Sequence, residues 1–467
     1  MLKLTAEEIA LAVSGSILRG SGAESASAVS TDTRSAGKQD AFFALRGEHF
    51  DAHNFLKDMP ADFCRILVVS RPETLPADFT GAAIAVPDTL KAYQDLAAYV
   101  RLRMAPKVIA VTGSVGKTSL KDMIACICRE YFKASATDMN YNNEIGVPKT
   151  ILSMDEDTEV LVLEMGMDHA GEIERLAHIA RPDVAVIGTI GISHRENFDS
   201  DDGIFLAKME IATFLQEGNA LIVNGDDEYL RQVADLPHIT YAVVTAGTGR
   251  NCDFIARDIR YTGDRALSFT IVHGEERVIF ELPAAGTYNG VTAALASAAC
   301  SELGVSLAQS ARALRSLKRT PHRLDLIERD GVKVIDDAYN ASPSSMASGI
   351  EYLMAVSGAR KIAVLAGMNE LGDDSRRYHR EVGEEAAKAG VDMVVAVGEK
   401  AEDIAEGAGR AARGGKPEVY RCADNASATE FLNSGKRPGD VYLLKGSRGM
   451  KMEEIVRGLI GDDDSDN

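Results

Sequence analysis

The fold is decided by residues 108–119, which read V-I-A-V-T-G-S-V-G-K-T-S. The apolar residues 108–111 have the character of a buried strand, and a helical pattern covers 119–132, after the glycines. A strand, a glycine loop and a helix in this order form a phosphate cradle, because glycines let backbone N–H groups approach an anion and the helix N-terminus attracts negative charge. The stretch therefore predicts a phosphate-binding loop on a parallel sheet.

The glycine loop matches T-G-x-x-G-K-T and not the commoner G-x-x-x-x-G-K-[ST], because Val111 stands where the first glycine would fall. Lys117 supplies positive charge to a phosphate, and the Thr118 hydroxyl can hold Mg²⁺. The residues assigned here to nucleotide binding are Gly113, Ser114, Gly116, Lys117, Thr118 and Ser119. The alternative is an ordinary glycine turn with a solvated lysine, but the strand before the loop and the helix after it favour the phosphate site.

Polar side chains also follow the next predicted strands. They are Glu164 after 160–163, His194 and Glu196 after 184–190, and Asn224, Asp226 and Asp227 after 220–223. Taken singly, such residues are also typical of a helix cap, a loop histidine or a turn. Parallel α/β sheets, however, bind their ligands at the carboxyl edge, where these positions meet. Together they indicate a site for an Mg²⁺-nucleoside triphosphate whose γ-phosphate meets an anionic acceptor.

Short apolar runs followed by helical patterns recur along all 467 residues, which is typical of an α/β fold with parallel sheets. The predicted strands are 108–112, 160–163, 184–190, 220–223, 361–366, 393–397 and 441–444, with an antiparallel ribbon at 253–282. At roughly 150 residues per domain this length predicts about three domains. Basic stretches around Pro106 and Pro321 mark the boundaries. We expect domains at 1–104, 105–318 and 319–460, then a disordered acidic tail at 461–467.

The composition excludes several function classes. A formal charge of -19 repels phosphate backbones, so we expect no nucleic-acid partner. Glu7 and Glu8 stand where a signal peptide would be apolar, and no uncharged run reaches the ~18 residues that span a bilayer, so we expect a cytoplasmic protein without membrane insertion. The six cysteines are scattered, and the C-x-C pair Cys126 and Cys128 indicates reduced, packed thiols in preference to zinc ligands.

Many separated strings resemble the Mur ligases, the ATP-dependent amide-forming enzymes of cell-wall precursor synthesis. The first part of the chain has 30–34 (S-T-D-T-R), 42–48 (F-F-A-L-R-G-E) and 51–53 (D-A-H). The central part has 140–148 (N-Y-N-N-E-I-G-V-P), 164–166 (E-M-G), His194 with Glu196, and 207–211 (A-K-M-E-I). The last part has 336–343 (D-D-A-Y-N-A-S-P), 370–372 (E-L-G), 379–383 (H-R-E-V-G) and 445–450 (K-G-S-R-G-M). The resemblance covers nearly the whole chain.

The resemblance implies a first domain that holds a UDP-sugar, a central P-loop-type parallel sheet domain and a C-terminal Rossmann-like ligase domain. The strings D-x-Y-N-A-x-P and K-G-S-R-G are similar to those of the member that adds D-alanyl-D-alanine to UDP-N-acetylmuramoyl-tripeptide. We therefore expect these two substrates, ATP with Mg²⁺, and an acyl-phosphate route, because a carboxylate needs a leaving group before an amine can displace it. We also expect a monomer.

The resemblance assigns catalysis to Lys117, Glu164, His194 and Lys208, and metal binding to Thr118, Glu164, His194 and Lys208. In the family the lysine that matches Lys208 bridges a metal as a carbamate. The residues themselves show only a lysine on an apolar helix, where an uncharged amine is plausible and an ion pair is the alternative. Arg323, Asp337 and Asn289 match ATP-binding positions. The substrate-binding matches are Ser30, Thr31, Asp32, Arg34, Phe43, Arg46, Asn142, Asn143, Asn340, Ser447 and Arg448.

The chain departs from the family pattern at a few positions. Tyr288 replaces a common histidine before Asn289, and Thr292 replaces a second asparagine. Residues 366–368 read A-G-M where G-D-M is usual. Asp199 stands where a glycine usually follows the aromatic residue after His194. None of these departures lies in the phosphate loop.

Two alternative functions remain at this point. One is a ligase of the same build that adds a diamino acid to the wall precursor or glutamate to folate; the UDP-type first domain and D-x-Y-N-A-x-P argue against it. The other is a nucleotide-dependent regulatory protein that binds ATP without ligation. Such a protein would not need Glu164, His194 and Lys208 together, and this chain has all three.

Overall fold

The computed structural model describes residues 3–47, 50–191, 195–198, 200–237 and 239–461. Within these ranges the strands form four sheets, and helices pack on their faces. The predicted α/β class is confirmed. The predicted acidic tail lies outside the described residues except for Gly461, and His194 and Asp199 lie outside them as well.

The first part of the chain builds a five-stranded sheet. Its elements are β1 (Leu4–Thr5), α1 (Ala6–Ala12), β2 (Ser16–Arg19), β3 (Ser25–Ala26), β4 (Ala28–Ser30), β5 (Asp40–Phe43), β6 (Ile66–Val69), β7 (Ala82–Ala85) and α2 (Thr89–Met104). The strand order is β2-β7-β6-β5-β4, parallel from β4 to β7, and β1 pairs separately with β3. The capping box of Thr5 and Glu8 starts α1, because each side chain satisfies the other's backbone N–H.

The central part builds a nine-stranded sheet. Its elements are β8 (Lys107–Thr112), α3 (Lys117–Tyr131), β9 (Ala134–Ala136), α4 (Gly146–Leu152), β10 (Val160–Glu164), α5 (Glu172–Ala180), β11 (Val184–Ile187), α6 (Asp201–Met209), β12 (Ala220–Asn224), β13 (Ala242–Gly247), β14 (Phe254–Tyr261), β15 (Leu267–His273), β16 (Glu276–Leu282), α7 (Asn289–Ser301) and α8 (Leu307–Leu314). The order is β16-β15-β14-β13-β12-β11-β8-β10-β9. Strands β14 to β16 pair antiparallel, which confirms the predicted ribbon.

The last part builds a six-stranded sheet in the order β17-β18-β22-β19-β20-β21, parallel except for β17. Its elements are β17 (Asp325–Arg329), β18 (Val332–Asp337), α9 (Pro343–Ala355), β19 (Arg360–Ala366), α10 (Ser375–Ala389), β20 (Met393–Val397), α11 (Glu402–Ala411), β21 (Glu418–Cys422), α12 (Asn425–Gly435), β22 (Asp440–Lys445) and α13 (Glu453–Ile460).

The predicted C-terminal boundary of one strand is wrong. The prediction ran over 184–190, but β11 stops at Ile187. The next residues bind the phosphate loop instead: Gly188 N–H donates to the Thr112 carbonyl over 3.0 Å, and Ser114 N–H donates to the Thr189 carbonyl over 2.8 Å. On the side of β12, the Ile190 N–H donates to the Asp227 carboxylate over 2.7 Å. The predicted helix at 119–132 begins two residues earlier, at Lys117.

Strand β8 is buried on both faces, as its continuous apolar run predicts. Val108 and Ala110 join one core with the helix α2, whereas Ile109 and Val111 join another with α3 and α7. The alternation follows from the two-residue period of a strand. Helices therefore cover both faces of the sheet at β8. The loops at its carboxyl edge are left to form a ligand site.

Candidate active site

A cavity of about 840 Å³ lies between the central and the last sheet. The central sheet contributes the loops after β8, β10, β11 and β12, and the last sheet contributes the loops after β18, β19 and β22. Parallel strands bring all of these to two facing carboxyl edges. The structure thus brings together residues that are hundreds of positions apart in the sequence.

The phosphate loop forms one wall of this cavity. Gly116 is the N-cap of α3 with a φ of 79°, a conformation that favours glycine. At Gly113 a Cβ would come within 3.1 Å of the Thr189 nitrogen, so a larger residue would displace the loop. Lys117 Nζ donates to the Gly113 carbonyl over 2.8 Å. Burial lowers the pKa of Lys117, and the nearby Glu164 carboxylate opposes that shift.

Glu164 ends β10 and is 2% exposed. Its Oε1 accepts a hydrogen bond of 2.9 Å from Asn142 Nδ2. Its Oε2 is buried without a hydrogen-bond partner among the described residues. A buried carboxylate oxygen without a donor, in a cavity that Thr118 also lines, fits a hard cation such as Mg²⁺.

Lys208 lies in α6 and is 1% exposed. Burial, together with the charge of Lys117, lowers its pKa well below the usual value for lysine. Its amine is therefore uncharged over a wider pH range than an ordinary lysine amine. His194, the other predicted catalytic group, lies outside the described residues.

The last sheet supplies a second set of charges. Arg323 donates from a guanidinium nitrogen to the Thr118 hydroxyl over 3.2 Å, and its guanidinium lies 4.3 Å from the centroid of the Tyr339 ring. Asp337 accepts from Lys445 over 2.5 Å, and its other oxygen accepts from the backbone of Leu324. Arg323 therefore connects the last part of the chain directly to the phosphate loop.

A smaller cavity lies next to the phosphate loop, beside α7 and the segment before β17. Asn289 lines it; its Nδ2 donates to the Ala285 carbonyl, and its buried Oδ1 has no hydrogen-bond partner among the described residues. Tyr288, which replaces the family histidine, lines both cavities. Ser119 and Arg323 line both cavities as well.

In the first part of the chain, the loop after β4 carries exposed polar groups. Asp32 accepts hydrogen bonds from the backbone N–H and the guanidinium of Arg34, and this pairing lowers the pKa of Asp32 to about 2, with a smaller contribution from Lys149 of α4. The loop thus faces the central part of the chain. Ser30, the last residue of β4, and Thr31 in the loop are half-buried, and Arg46 is exposed.

Two predicted substrate-binding residues are placed differently. Phe43 is fully buried, with its ring 5.5 Å from that of Tyr93, so its side chain supports the core and does not reach a ligand. Asn143 turns its Oδ1 to the backbone N–H groups of Ile145 and Gly146 and caps α4. By contrast, the predicted residues Asn142, Asn340, Ser447 and Arg448 all line the large cavity.

Sequence reasoning assigned no role to some residues that line the cavity, including Lys445 and Tyr339. Lys445 is 2% exposed and bridges Asp337 and the Asn340 carbonyl. A signal was present, since Lys445 ends a strand in the same way as Glu164 does. Tyr339 lies in the D-x-Y-N-A-x-P string, but the string does not reveal its contact with the Arg323 guanidinium, because that contact depends on two loops meeting in space.

The predicted packing of the cysteines agrees with the structure. Cys128 is buried, and the half-buried Cys126 donates to the Ala313 carbonyl. Among the described residues, no group of three or more His, Cys, Asp or Glu side chains is arranged to hold a metal ion. The metal-binding assignment therefore rests on Glu164, Thr118 and Lys208 with His194, which is not described.

Comparison with known proteins decides the family. A sequence model of the Mur ligase middle domain matches residues 111–300, and a model of the Mur ligase glutamate ligase domain matches residues 322–448. The UDP-N-acetylmuramoyl-tripeptide--D-alanyl-D-alanine ligase of Bacillus subtilis (strain 168) is 37% identical over 463 residues, which cover 98% of this chain and 99% of that protein. This chain belongs to the Mur ligase family. It is an ATP-dependent ligase that forms an amide bond.

Further relatives resemble this Mur ligase over most of its length. The protein of the same name from Escherichia coli (strain K12) is 34% identical, covering 92% of this chain and 93% of that protein. A crystal structure of MurF from Acinetobacter baumannii superposes with a TM-score of 0.90 at 31% identity, covering 99% and 100% of the two chains. A MurF structure from Thermotoga maritima in complex with ADP gives 0.82 at 27% identity, covering 92% and 96%. In the described part of this Mur ligase, no helix is long and apolar enough to cross a membrane.

Proposed function

We propose that this Mur ligase joins D-alanyl-D-alanine to UDP-N-acetylmuramoyl-tripeptide in cytoplasmic peptidoglycan precursor synthesis. The observation that carries the proposal is the cavity in which the phosphate loop and Glu164 face Arg323, Asp337 and Ser447 from the last sheet. The full-length likeness to ligases of that name supports the choice of substrates. We further propose that the protein acts as a monomer with the domain boundaries 1–104, 105–318 and 319–460.

The reaction requires two anions, the tripeptide carboxylate and the γ-phosphate of ATP, to be brought into contact. The terminal carboxylate of the tripeptide attacks the γ-phosphate of ATP, the bond to the β-phosphate breaks, and an acyl phosphate and ADP result. Lys117 exchanges its bond to Gly113 for phosphate oxygens and neutralises their charge. Arg323 approaches the same phosphates from the opposite wall, and Asp337 is placed to accept from the ribose. Thr118 and Glu164 would hold Mg²⁺, which would offset further negative charge on the phosphates.

Lys208 is proposed to carry a carbamate. An uncharged lysine amine takes up CO₂ and releases one proton, and the product is a carboxylate on a buried helix. The lowered pKa of Lys208 favours the uncharged amine that this reaction needs. With Glu164 and His194, the carbamate would hold a second cation near the acceptor carboxylate.

Substrate binding is divided between the parts of the chain. We propose that Ser30, Thr31, Asp32, Arg34 and Arg46 hold the UDP end, while Asn142 and Asn340 lie along the peptide and Ser447 with Arg448 meets the dipeptide carboxylate. In the smaller cavity, the Asn289 Oδ1 without a donor would accept from an adenine amino group.

A phosphate-release assay with purified UDP-muramoyl-tripeptide tests the proposal. We expect release only when ATP, Mg²⁺ and the UDP-tripeptide are present, and equal amounts of phosphate released and D-alanyl-D-alanine consumed. A lysine or a glutamate offered in place of the dipeptide should not be consumed. Steady ATP hydrolysis that ignores both peptides would contradict the proposal.

A further inference from the structure

The loop after β19 places the side chain of Asn369 in the large cavity. Asn369 is half-buried and lines the cavity together with Ser447 and Gly449 of the loop after β22. It lies between the strings at 366–368 and 370–372, and the proposed function gives it no role. Its side-chain amide is therefore a polar group of the cavity whose use is still open.

Hydrogen bonds on both sides hold the backbone at Asn369. The fully buried Met368 donates its N–H to Nε2 of the buried His379 over 2.8 Å. Asn369 N–H donates to Ser447 Oγ over 2.9 Å, and Ser447 N–H donates to the Gly367 carbonyl over 3.1 Å. The loops after β19 and β22 are thus joined, and Asn369 keeps a fixed place in the cavity.

A lysine determines which end of the Asn369 amide faces the cavity. Lys400 Nζ donates to Asn369 Oδ1 over 2.8 Å. Because an ammonium group has only donors, the amide must turn its oxygen to Lys400 and its nitrogen away. Among the described residues, Asn369 Nδ2 donates to no protein acceptor. A Cβ at Gly449 would lie 3.9 Å from this nitrogen, so the glycine leaves it uncovered on that side.

Gly367, one of the departures from the family pattern, makes room for this contact. It stands where an aspartate is usual. A Cβ at Gly367 would come within 2.6 Å of Lys400 Cβ, which is closer than two side-chain carbon atoms approach. The glycine therefore lets the Lys400 side chain lie against the loop and reach Asn369. The departure from the family pattern and the orientation of the amide belong to one arrangement.

The two cations at the end of β22 are already paired. Lys445 donates to Asp337 over 2.5 Å, and Arg448 donates to Glu453 over 2.9 Å. The Asn369 amide adds two N–H donors to this wall without adding a charge. Such donors match the oxygens of a carboxylate and oppose an ammonium group, which has no acceptor.

We propose that Asn369 Nδ2 donates to the terminal carboxylate of the incoming dipeptide. This inference rests on the proposed function and deepens it. The dipeptide amine has to reach the acyl phosphate, which forms at the phosphate loop on the wall of the central sheet. The carboxylate is the opposite end of the dipeptide, so it is directed toward the wall of the last sheet, where Asn369 lies.

Asn369→Asp tests this contact with a small change. The variant keeps an oxygen for Lys400 and the backbone N–H for Ser447, so the loop is retained, but a negative oxygen replaces the N–H donors. Asn251→Asp is the matched control, because Asn251 is exposed and lines neither cavity. The probes are D-alanyl-D-alanine and the same dipeptide with its terminal carboxylate converted to an amide.

For Asn369→Asp we expect the KM for D-alanyl-D-alanine to rise about tenfold or more, with the KM values for ATP and UDP-tripeptide within about twofold of the wild type. Amidation of the dipeptide should lower kcat/KM about tenfold in the wild type and in Asn251→Asp, but less than about threefold in Asn369→Asp, because an aspartate accepts from a terminal amide. A purely structural role of Asn369 would not change the preference between the two dipeptides.

Asn369→Ala removes the donor without adding a charge, so it should raise the same KM by a smaller factor and also reduce the effect of amidation. An unchanged KM for D-alanyl-D-alanine in these variants, or an effect of amidation equal to that in the wild type, would overturn the inference. Failure of the unmodified enzyme to consume the dipeptide would instead reject the proposed function.

Discussion

Lys208 is the residue whose chemistry depends most on its surroundings. Its amine is almost fully buried and its pKa is lowered, first by burial and then by the charge of Lys117. When Lys208 is removed, a carboxylate added from solution should restore activity if the lysine carried a carbamate, and should not if the lysine was ion-paired. The carbamate contributes a carboxylate to the site, whereas an ion-paired lysine leaves an unpaired carboxylate behind when it is removed.

We predict that Lys208→Ala loses nearly all activity and regains part of it in millimolar acetate. The added carboxylate replaces the oxygens that the carbamate supplied, whereas beside an unpaired carboxylate it would only add repulsion. The measurement is phosphate release against acetate concentration. Lys361→Ala is the control, because Lys361 is also buried but lies in the last sheet and donates to the Val356 carbonyl.

Activity retained by Lys208→Ala, or a folded variant that stays inactive at every acetate concentration, would contradict the carbamate. Gentle mass spectrometry of the unmodified protein gives an independent check, since a carbamate adds the mass of CO₂ at Lys208. Removal of CO₂ from the buffer should lower the activity of the unmodified enzyme as well.

At the scale of elements, the β14–β15 hairpin joins the central sheet to the last one. Asp264 at its turn accepts from Lys333 of β18 over 2.5 Å and from the Ser357 N–H over 2.9 Å. Tyr352 of α9 donates to the Asp264 carbonyl, and its ring stacks on that of Tyr261. The predicted ribbon thus has a function in assembly that its alternating sequence pattern does not reveal.

We predict that Asp264→Ala lowers the free energy of unfolding by about 2 kcal/mol, as expected for lost hydrogen bonds to a charged group. Burial raises the pKa of Asp264, but the bonds from Lys333 and Ser357 outweigh it, so the net pKa is below the usual range. A lowered carboxyl pKa stabilises the fold fully above about pH 4, and the stabilisation is lost as the pH falls through the folded-state value.

Urea unfolding at pH 7 and at acid pH measures this effect. The difference between the wild type and Asp264→Ala should be full at neutral pH and smaller below about pH 4. Glu275→Ala, at the exposed turn between β15 and β16, should change little at either pH. A difference that grows on acidification would show that the Asp264 carboxylate is not the stabilising form.

At the scale of the whole molecule, the active site exists only where the central and last sheets face each other. Arg323 makes the most direct link, from the segment before β17 to the Thr118 hydroxyl. In the proposed reaction, closure of the two sheets around ATP would exclude water from the acyl phosphate, which would otherwise hydrolyse.

We predict that Arg323→Ala raises the KM for ATP by about 10- to 100-fold, because a charged hydrogen bond contributes about 1.5–3 kcal/mol and 1.4 kcal/mol is a factor of ten. Steady-state kinetics at saturating peptide measure it. Arg315→Ala is the control, since Arg315 forms an exposed ion pair with Glu281 over 3.3 Å. An ATP KM within twofold of the wild type would refute the role of Arg323.

The sequence alone determined the local elements of this protein. The apolar run before Thr112 and the glycines after it predicted β8, the phosphate loop and α3, because strand burial, glycine φ values and helix N-termini are local properties. Glu164 was found for the same reason, as a polar residue that ends a buried strand. The family motifs then placed Arg323 and Asp337 in the same site.

Tertiary structure decided those features that depend on contacts between segments distant in the sequence. After Ile187 the chain leaves β11 and bonds to the phosphate loop, and Phe43 is a core residue because α2 brings Tyr93 against it. The loop before Glu370, whose φ is 64°, is held by bonds from Met368 to His379 and from Asn369 to Ser447. No periodicity or motif encodes such contacts, since each depends on side chains brought together only after the sheets have formed.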